Sequence, residues 1–239
     1  MPSYYTGYIF GIKNTCFKTY NMSDFGKSSL EAAVRDHPES IPAKAILENF
    51  SHFVNLHNIL DGKWEYGWGS YMFDGRSYAW QRDTLKKQEA LFRVGEKASN
   101  VLEIGVYLGH SLLILLISNP NLKITCVDND ARFAPKAVEY LNSKFGNRVT
   151  FFLGDAVDII NSLSPTPKFD MVHVDADHNN EAVLKQFQAA KKNACEKAYF
   201  VFDDYEATRG AVDSLLLSNT LKKLVLPMCL WTNIVTQLN

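Results

Sequence analysis

The 239-residue chain has few cysteines. Cys16, Cys126, Cys195 and Cys229 are scattered, and no CxxC pair exists. Neither a zinc site nor a disulfide framework is suggested. Cys126 falls inside a predicted buried strand and reads as a small core residue. Long apolar runs are also missing. The longest is Leu112 to Ile117, against the roughly 20 residues a membrane span requires. The opening MPSYYTGYIF lacks the basic start and apolar core of a secretory signal, so the expected location is cytoplasmic, with no membrane partner. Neither sign of charge is in excess. Lys plus Arg is 25 and Asp plus Glu is 26, a formal net charge of -1. That balance gives no electrostatic reason to expect nucleic acid as a partner. Hydrophobic residues at 46% and charged residues at 21% exclude a disordered chain.

The texture changes near residue 98. Two regions follow, an N-terminal extension and substrate-side cap over 1–97 and an α/β domain over 98–239. Residues 1–27 are rich in Tyr, Phe and Gly without a clear period, and read as an ordered arm or lid. A short helix is predicted over 28–37. Ile46, Phe50, Phe53, Val54 and Leu60 have helical spacing, with Pro42 near the start and Gly62 past the end, which predicts one helix over 41–60. His52 and His57 on it read as structural. Residues 63–80 hold seven aromatics interleaved with glycines, a loop pattern. The stretch reads equally as a packed satellite core or as a substrate wall formed by Trp64, Trp68 and Tyr71. A further helix is predicted over 81–93. The extension also offers a surface for homo-oligomer formation.

From there, apolar strand candidates alternate with helical stretches. The strands are Val101–Ile104, Lys123–Val127, Val149–Leu153, Phe169–Val174 and Tyr199–Phe202. The helices lie near 109–118, 131–145, 155–163, 179–194 and 208–218. Two closing strands, about 222–227 and 230–237, suggest an antiparallel hairpin at one edge. The pattern predicts a Rossmann-like α/β fold: a seven-stranded, mostly parallel sheet with helices on both faces.

In an open α/β sheet, ligands bind outside the carboxyl ends of the strands. The residues at those ends are acidic throughout: Glu103, Asp128, Asp155 after Gly154, Asp175, and the pair Asp203-Asp204. Like charges gathered on one rim repel each other, so ligands or cations are implied. The first loop runs Glu103, Gly105, Tyr107, Gly109, His110, Ser111. Its glycines permit a tight turn and close backbone approach at a helix N-terminus. It is neither the GxGxxG dinucleotide fingerprint nor a P-loop. Asp128 is placed to accept hydrogen bonds from ribose hydroxyls, and Asp155-Ala156 lies where an adenine would rest. Glu103 suits a cationic sulfonium. The set fits S-adenosylmethionine better than a dinucleotide.

The segment VLEIGVYLGHS resembles the first motif of class I S-adenosylmethionine-dependent methyltransferases, and especially that of catechol O-methyltransferases. Glu103, Gly105, Tyr107, Gly109 and Ser111 match that pattern, and the resemblance extends over roughly 98–239. It implies the seven-stranded methyltransferase fold, with Asp128 on the ribose and Asp155-Ala156 bordering the adenine.

The second half of the rim is HVDADH (173–178) and FDDY (202–205). Neighbouring strand ends bring Asp175 towards Asp203 and Asp204. With no fixed basic partner expected nearby, three carboxylates make a hard oxygen site suited to Mg²⁺. His178 lies three residues past Asp175 and suits a general base, since a bound metal lowers the pKa of a substrate hydroxyl. Catechol O-methyltransferases have an Asp-Asn pair and a Lys at the corresponding places. The Asp-Asp pair and His178 look closer to the metal-dependent macrolide-sugar O-methyltransferases.

Blander readings stand beside these. Asp175 alternatively caps the next helix. Asp177 and Asp130 read as caps or solvated acids, Asp170 as structural at the opposite rim, and His173 as a satisfied core histidine. His110 and Tyr107 either line the cofactor or only pack, and Arg209 has Glu206 and the acidic rim as candidate partners. The expected function is a Mg²⁺-dependent O-methyltransferase acting on a small hydroxylated molecule, with a vicinal diol favoured. The rivals are a metal-independent small-molecule methyltransferase and a non-catalytic binding protein on the same fold.

Overall fold

The computed structural model describes residues 24–61, 71–72, 79–163, 168–224 and 234–239. The arm expected over 1–27 lies almost wholly outside these, as do Trp64 and Trp68. Among the described residues, no helix is long and apolar enough to cross a membrane.

The extension contributes α1 (Lys27–Asp36), α2 (Ile41–Glu48), α3 (Phe50–His57) and α4 (Thr84–Gly95). The single helix expected over 41–60 is instead two, followed by a 3-10 turn over Asn58–Leu60. Asn49 makes the break: at φ −101°, ψ 12° it ends α2 and starts α3. Its side-chain amide donates to the Ala45 carbonyl at 2.9 Å, a local bond that competes with helix continuation. Ser40 caps α2 by accepting from Ala43 N at 3.3 Å.

Then come β1 (Asn100–Ile104), α5 (His110–Ser118), β2 (Lys123–Asp128), α6 (Ala134–Phe145), β3 (Val149–Leu153), α7 (Ala156–Ser162), β4 (Phe169–Val174), α8 (Asn180–Lys191), β5 (Ala194–Phe202), α9 (Tyr205–Leu217), β6 (Leu221–Lys223) and β7 (Ile234–Leu238). The seven strands are ordered β3-β2-β1-β4-β5-β7-β6. The first five are parallel, whereas β7 is antiparallel to both β5 and β6. The expected edge hairpin is therefore present, with β7 inserted between β5 and β6.

Alternation along the strands divides the core into two layers. Val101, Ile124, Cys126, Met171 and Val201 pack with α1–α6. Leu102, Ile104, Val172, Val174, Phe200 and Phe202 pack with α7–α9. Glu103 and His173, in register across β1 and β4, share the parity of the first set. They therefore face the extension, and both are fully buried.

Candidate active site

A ladder of backbone bonds sets the acidic rim. Each residue just past a strand donates to a carbonyl at the end of its neighbour: Gly154 N to Asp128 O at 2.9 Å, Gly105 N to Val127 O at 2.9 Å, Asp175 N to Ile104 O at 2.8 Å, and Asp203 N to Val174 O at 3.0 Å. The strand ends are thus level, and their side chains line one cleft of about 1430 Å³.

Of the residues expected on the cofactor side, two do not line the cleft, Glu103 and Gly109. Gly105, Tyr107, Ser111, Asp128, Asp155 and Ala156 all line the cleft. Asp128 Oδ2 accepts from Val106 N at 2.7 Å and Tyr107 N at 2.9 Å, and Oδ1 accepts from Asp130 N at 2.8 Å. The carboxylate thus holds the glycine turn in place. Asp155 caps α7 by accepting from Asp158 N at 3.0 Å. Gly109 precedes α5 with φ 71°, which a side chain rarely adopts. Glu103 is different: it lies beneath the cleft, fully buried. It accepts from Ser111 Oγ and lies 3.2 Å from His173 Nδ1.

On the other side of β1, Asp175, Asp203 and Asp204 converge. Two groups of ligating atoms lie within 4.8 Å of one another, His173 with Asp175 and Asp203, and His178 with Asp203 and Asp204. Asp203 is shared. Its side chain is 4% exposed, whereas that of Asp204 is 43% exposed. Asp204 adopts φ 44° as the chain turns from β5 into α9, so the adjacent acids diverge. Asp175 does not cap α8; Asn179 does, accepting from Glu181 N at 2.9 Å. His178 Nδ1 stands 3.6 Å from Asp204 Oδ2, and Nε2 stands 4.0 Å from Asp175 Oδ1.

The absence of a basic partner is corrected by Lys87, on α4. Its Nζ lies 2.6 Å from Asp203 Oδ2 and 3.9 Å from Asp204 Oδ1. It also sits 4.3 Å from the Tyr71 ring centroid, a cation–π contact. The sequence carried a signal. Lys87 shares the α4 stripe of Leu91 and Val94, which are 0% and 3% exposed, and a lysine on a buried stripe requires a counter-ion.

Tyr71, expected as substrate wall, is 2% exposed. It borders the cleft but is tied inward, its hydroxyl 2.7 Å from His173 Nε2 and donating to Asp203 Oδ1 at 3.1 Å. Gln88 holds it, donating to the Tyr71 carbonyl and accepting from Trp80 Nε1 at 3.1 Å. A buried polar chain therefore runs Lys87–Asp203–Tyr71–His173–Glu103–Ser111. His173 is buried in the core as expected but is bonded only at Nε2, its Nδ1 facing Glu103 without a hydrogen bond, and it joins the two halves of the rim.

The charges follow from this packing. Burial disfavours the Asp203 carboxylate, but Lys87 and His173 outweigh it and hold its pKa below the usual range. Burial would lower Lys87, but Asp203, Asp175 and Asp204 hold its ammonium above the ordinary range. Burial, then Asp203, pushes Asp175 up to about 7. The Asp175 contact, against burial, raises His178, with help from Asp204. For His173, Glu103 overcomes burial and the net shift is upward.

The blander expectations fare as follows. Asp170 accepts from Ser99 N at 2.8 Å and Asn100 N at 3.0 Å, a structural role at the far rim. Asp130 pairs with Arg132 at 2.6 Å, Asp177 accepts from Asn179 N at 2.8 Å, and Arg209 lies over the Tyr205 ring. His110 is 2% exposed and its Nε2 is 3.2 Å from the Phe53 carbonyl. Burial, then the neighbouring His57, pushes it down to about 3. A histidine with a lowered folded pKa favours the fold fully above its unfolded pKa, about 6.5, and loses that contribution as pH falls towards 3. Between pH 6.5 and 5 the loss should be about 2 kcal/mol. Urea unfolding at pH 7.5 and 5.0 tests this: His110→Gln should lose correspondingly less stability than the parent, and equal losses would refute it.

The comparisons with known proteins agree with this geometry. Residues 102–205, from within β1 to the first residue of α9, match the family described as a methyltransferase domain. No curated protein matches the chain in sequence. Solved structures share the fold at low identity. An O-methyltransferase from Bacillus cereus in complex with SAH is 16% identical with a TM-score of 0.62, over 91% of this chain and 100% of that one. The SAH-bound methyltransferase PaMTH1 from Podospora anserina is 15% identical with a TM-score of 0.61, over 98% and 100%. The O-methyltransferase TomG from Streptomyces achromogenes, in complex with SAM, is 18% identical with a TM-score of 0.57, over 79% and 89%.

Proposed function

We propose that this chain is an S-adenosylmethionine-dependent O-methyltransferase that methylates a hydroxyl of a small molecule, a sugar, polyol or phenol, with a vicinal diol favoured. The observation that carries the reading is one rim with two chemistries. The Gly105–Gly109 turn and Asp128 stand on one side of β1, and three carboxylates with a histidine stand on the other.

The cofactor would lie along Gly105, Asp128 and Asp155-Ala156, supplying an electrophilic methyl group on a sulfonium. The donor sets also suit a divalent cation: Asp203 shares one group of ligating atoms with Asp175 and His173 and a second with Asp204 and His178, each supplying hard carboxylate oxygens. Bound there, a cation would lower the pKa of the acceptor hydroxyl. His178, 42% exposed, takes the hydroxyl proton at a ring nitrogen. Asp175 and Asp204, one beside each nitrogen, orient the ring and favour the imidazolium that forms. With the cofactor bound, the acceptor oxygen would receive the methyl group as the methyl–sulfur bond breaks, leaving the neutral thioether, with the proton on His178. Tyr71, which borders the cleft, offers an aromatic margin for the acceptor. A metal-independent mechanism is the second reading, and one observation favours it: Lys87 already supplies a cation to Asp203.

Calorimetry with S-adenosylhomocysteine, with and without Mg²⁺, tests the proposal. Micromolar cofactor binding together with a Mg²⁺ site is the expected result. Cofactor binding without Mg²⁺ binding moves the assignment to the metal-independent enzyme. Absence of cofactor binding overturns the enzyme reading and leaves a binding protein on the methyltransferase fold.

A further inference from the structure

We propose that Lys87 is a built-in competitor for the divalent cation at Asp203, so that cation loading requires its ammonium to leave that carboxylate. The inference rests on the metal-dependent form of the reading above. Both Asp203 oxygens are engaged from the extension side: Oδ2 by Lys87 Nζ at 2.6 Å and Oδ1 by the Tyr71 hydroxyl at 3.1 Å. Asp203 is also the one residue common to both groups of ligating atoms. A cation drawing on either group therefore meets the ammonium at the shared ligand. Two like charges cannot both approach one buried carboxylate oxygen closely without a large repulsion.

The geometry gives Lys87 somewhere to go. Its side chain is 14% exposed and borders the cleft together with Thr84 and Asp83, one turn earlier on α4 and at its start. Asp83, which lies outside both groups of ligating atoms, is a carboxylate that can receive the ammonium. The buried face of α4 need not move, because Gln88, Leu91 and Val94 hold it on the core. The competitor is thus a single flexible side chain on a fixed helix. Its release would couple the extension to the state of the acidic centre, and the free ammonium would then face the cleft where the acceptor binds.

The test needs no acceptor. Mn²⁺ would be titrated into the full chain by calorimetry and by electron paramagnetic resonance, with S-adenosylhomocysteine titrated separately. Lys87→Met should bind Mn²⁺ at least about tenfold more tightly than the parent, with cofactor affinity within about threefold. Lys87→Gln keeps a hydrogen-bond donor without the charge and should do the same if Lys87→Met folds poorly. The double variant Lys87→Met/Asp203→Asn should lose the gain. Unchanged or weaker Mn²⁺ binding in the folded single variants, with the parent still binding, would overturn this inference alone. Failure of the parent and both variants to bind Mn²⁺, with S-adenosylhomocysteine still bound, would overturn both the inference and the metal-dependent mechanism.

Discussion

Asp203→Asn is expected to lose methyl transfer by about a thousandfold, roughly 4 kcal/mol of transition-state stabilisation, while cofactor affinity stays within about threefold. Asparagine keeps the shape and can still accept from the Tyr71 hydroxyl, so the local scaffold is retained. What it loses is the charge shared by both groups of ligating atoms. The cofactor-side contacts at Asp128 and the glycine turn lie across β1 and do not involve Asp203. The substitution has a second consequence. Lys87 is left with its close counter-ion removed, and breaking a buried pair from one side costs about 3 kcal/mol or more. Asp203→Asn should therefore also lower the unfolding midpoint, and Lys87→Met/Asp203→Asn should recover part of that loss. Transfer would be measured with labelled S-adenosylmethionine on an acceptor found by screening diols. Undiminished transfer by the folded variant would remove Asp203 from the chemistry.

Gly105→Ala is expected to abolish cofactor binding and to destabilise the chain by about 4 kcal/mol or more. Gly105 has φ +95°, and an added Cβ would stand 2.2 Å from the Asp175 carbonyl oxygen, 2.6 Å from its carbon and 2.9 Å from Ala176 Cα. These are backbone atoms of the adjacent strand end, so no side chain can swing aside. The clash pushes the glycine turn and the Asp175 loop apart and thus disturbs both halves of the rim. Gly146 provides a control, with φ +81° and nothing within 4 Å of an added Cβ. Gly146→Ala should cost only the left-handed conformation, about 1 kcal/mol. Thermal unfolding and S-adenosylhomocysteine calorimetry on both variants decide the matter. Equal midpoints, with cofactor binding retained in Gly105→Ala, would show that the turn and the acid loop are not in contact as described.

The architecture was legible because its signals are local. Apolar runs such as AYFVF in β5, and the nearly apolar MVHV in β4, each followed by a turn and a helical pattern, required strands covered on both faces. The strand ends were legible for the same reason, and with them the acids on one rim. Local chemistry also placed the break at Asn49 and the α8 cap at Asn179 out of easy reach, because side-chain bonds to nearby backbone compete closely with helix geometry.

The sequence by itself determined the α/β order, the glycine turn after β1 and the acidic strand ends, since these depend on periodicity and neighbouring residues. Tertiary structure alone decided the partners. Lys87 meets Asp203 from 116 positions away, and Tyr71 reaches His173 from 102 positions away. No periodicity encodes such distances; they arise when α4 packs on the face of the sheet that carries Glu103 and His173. That packing buries Glu103 under the cleft and sets an ammonium against the acidic centre, because buried charges are tolerated only in compensating pairs.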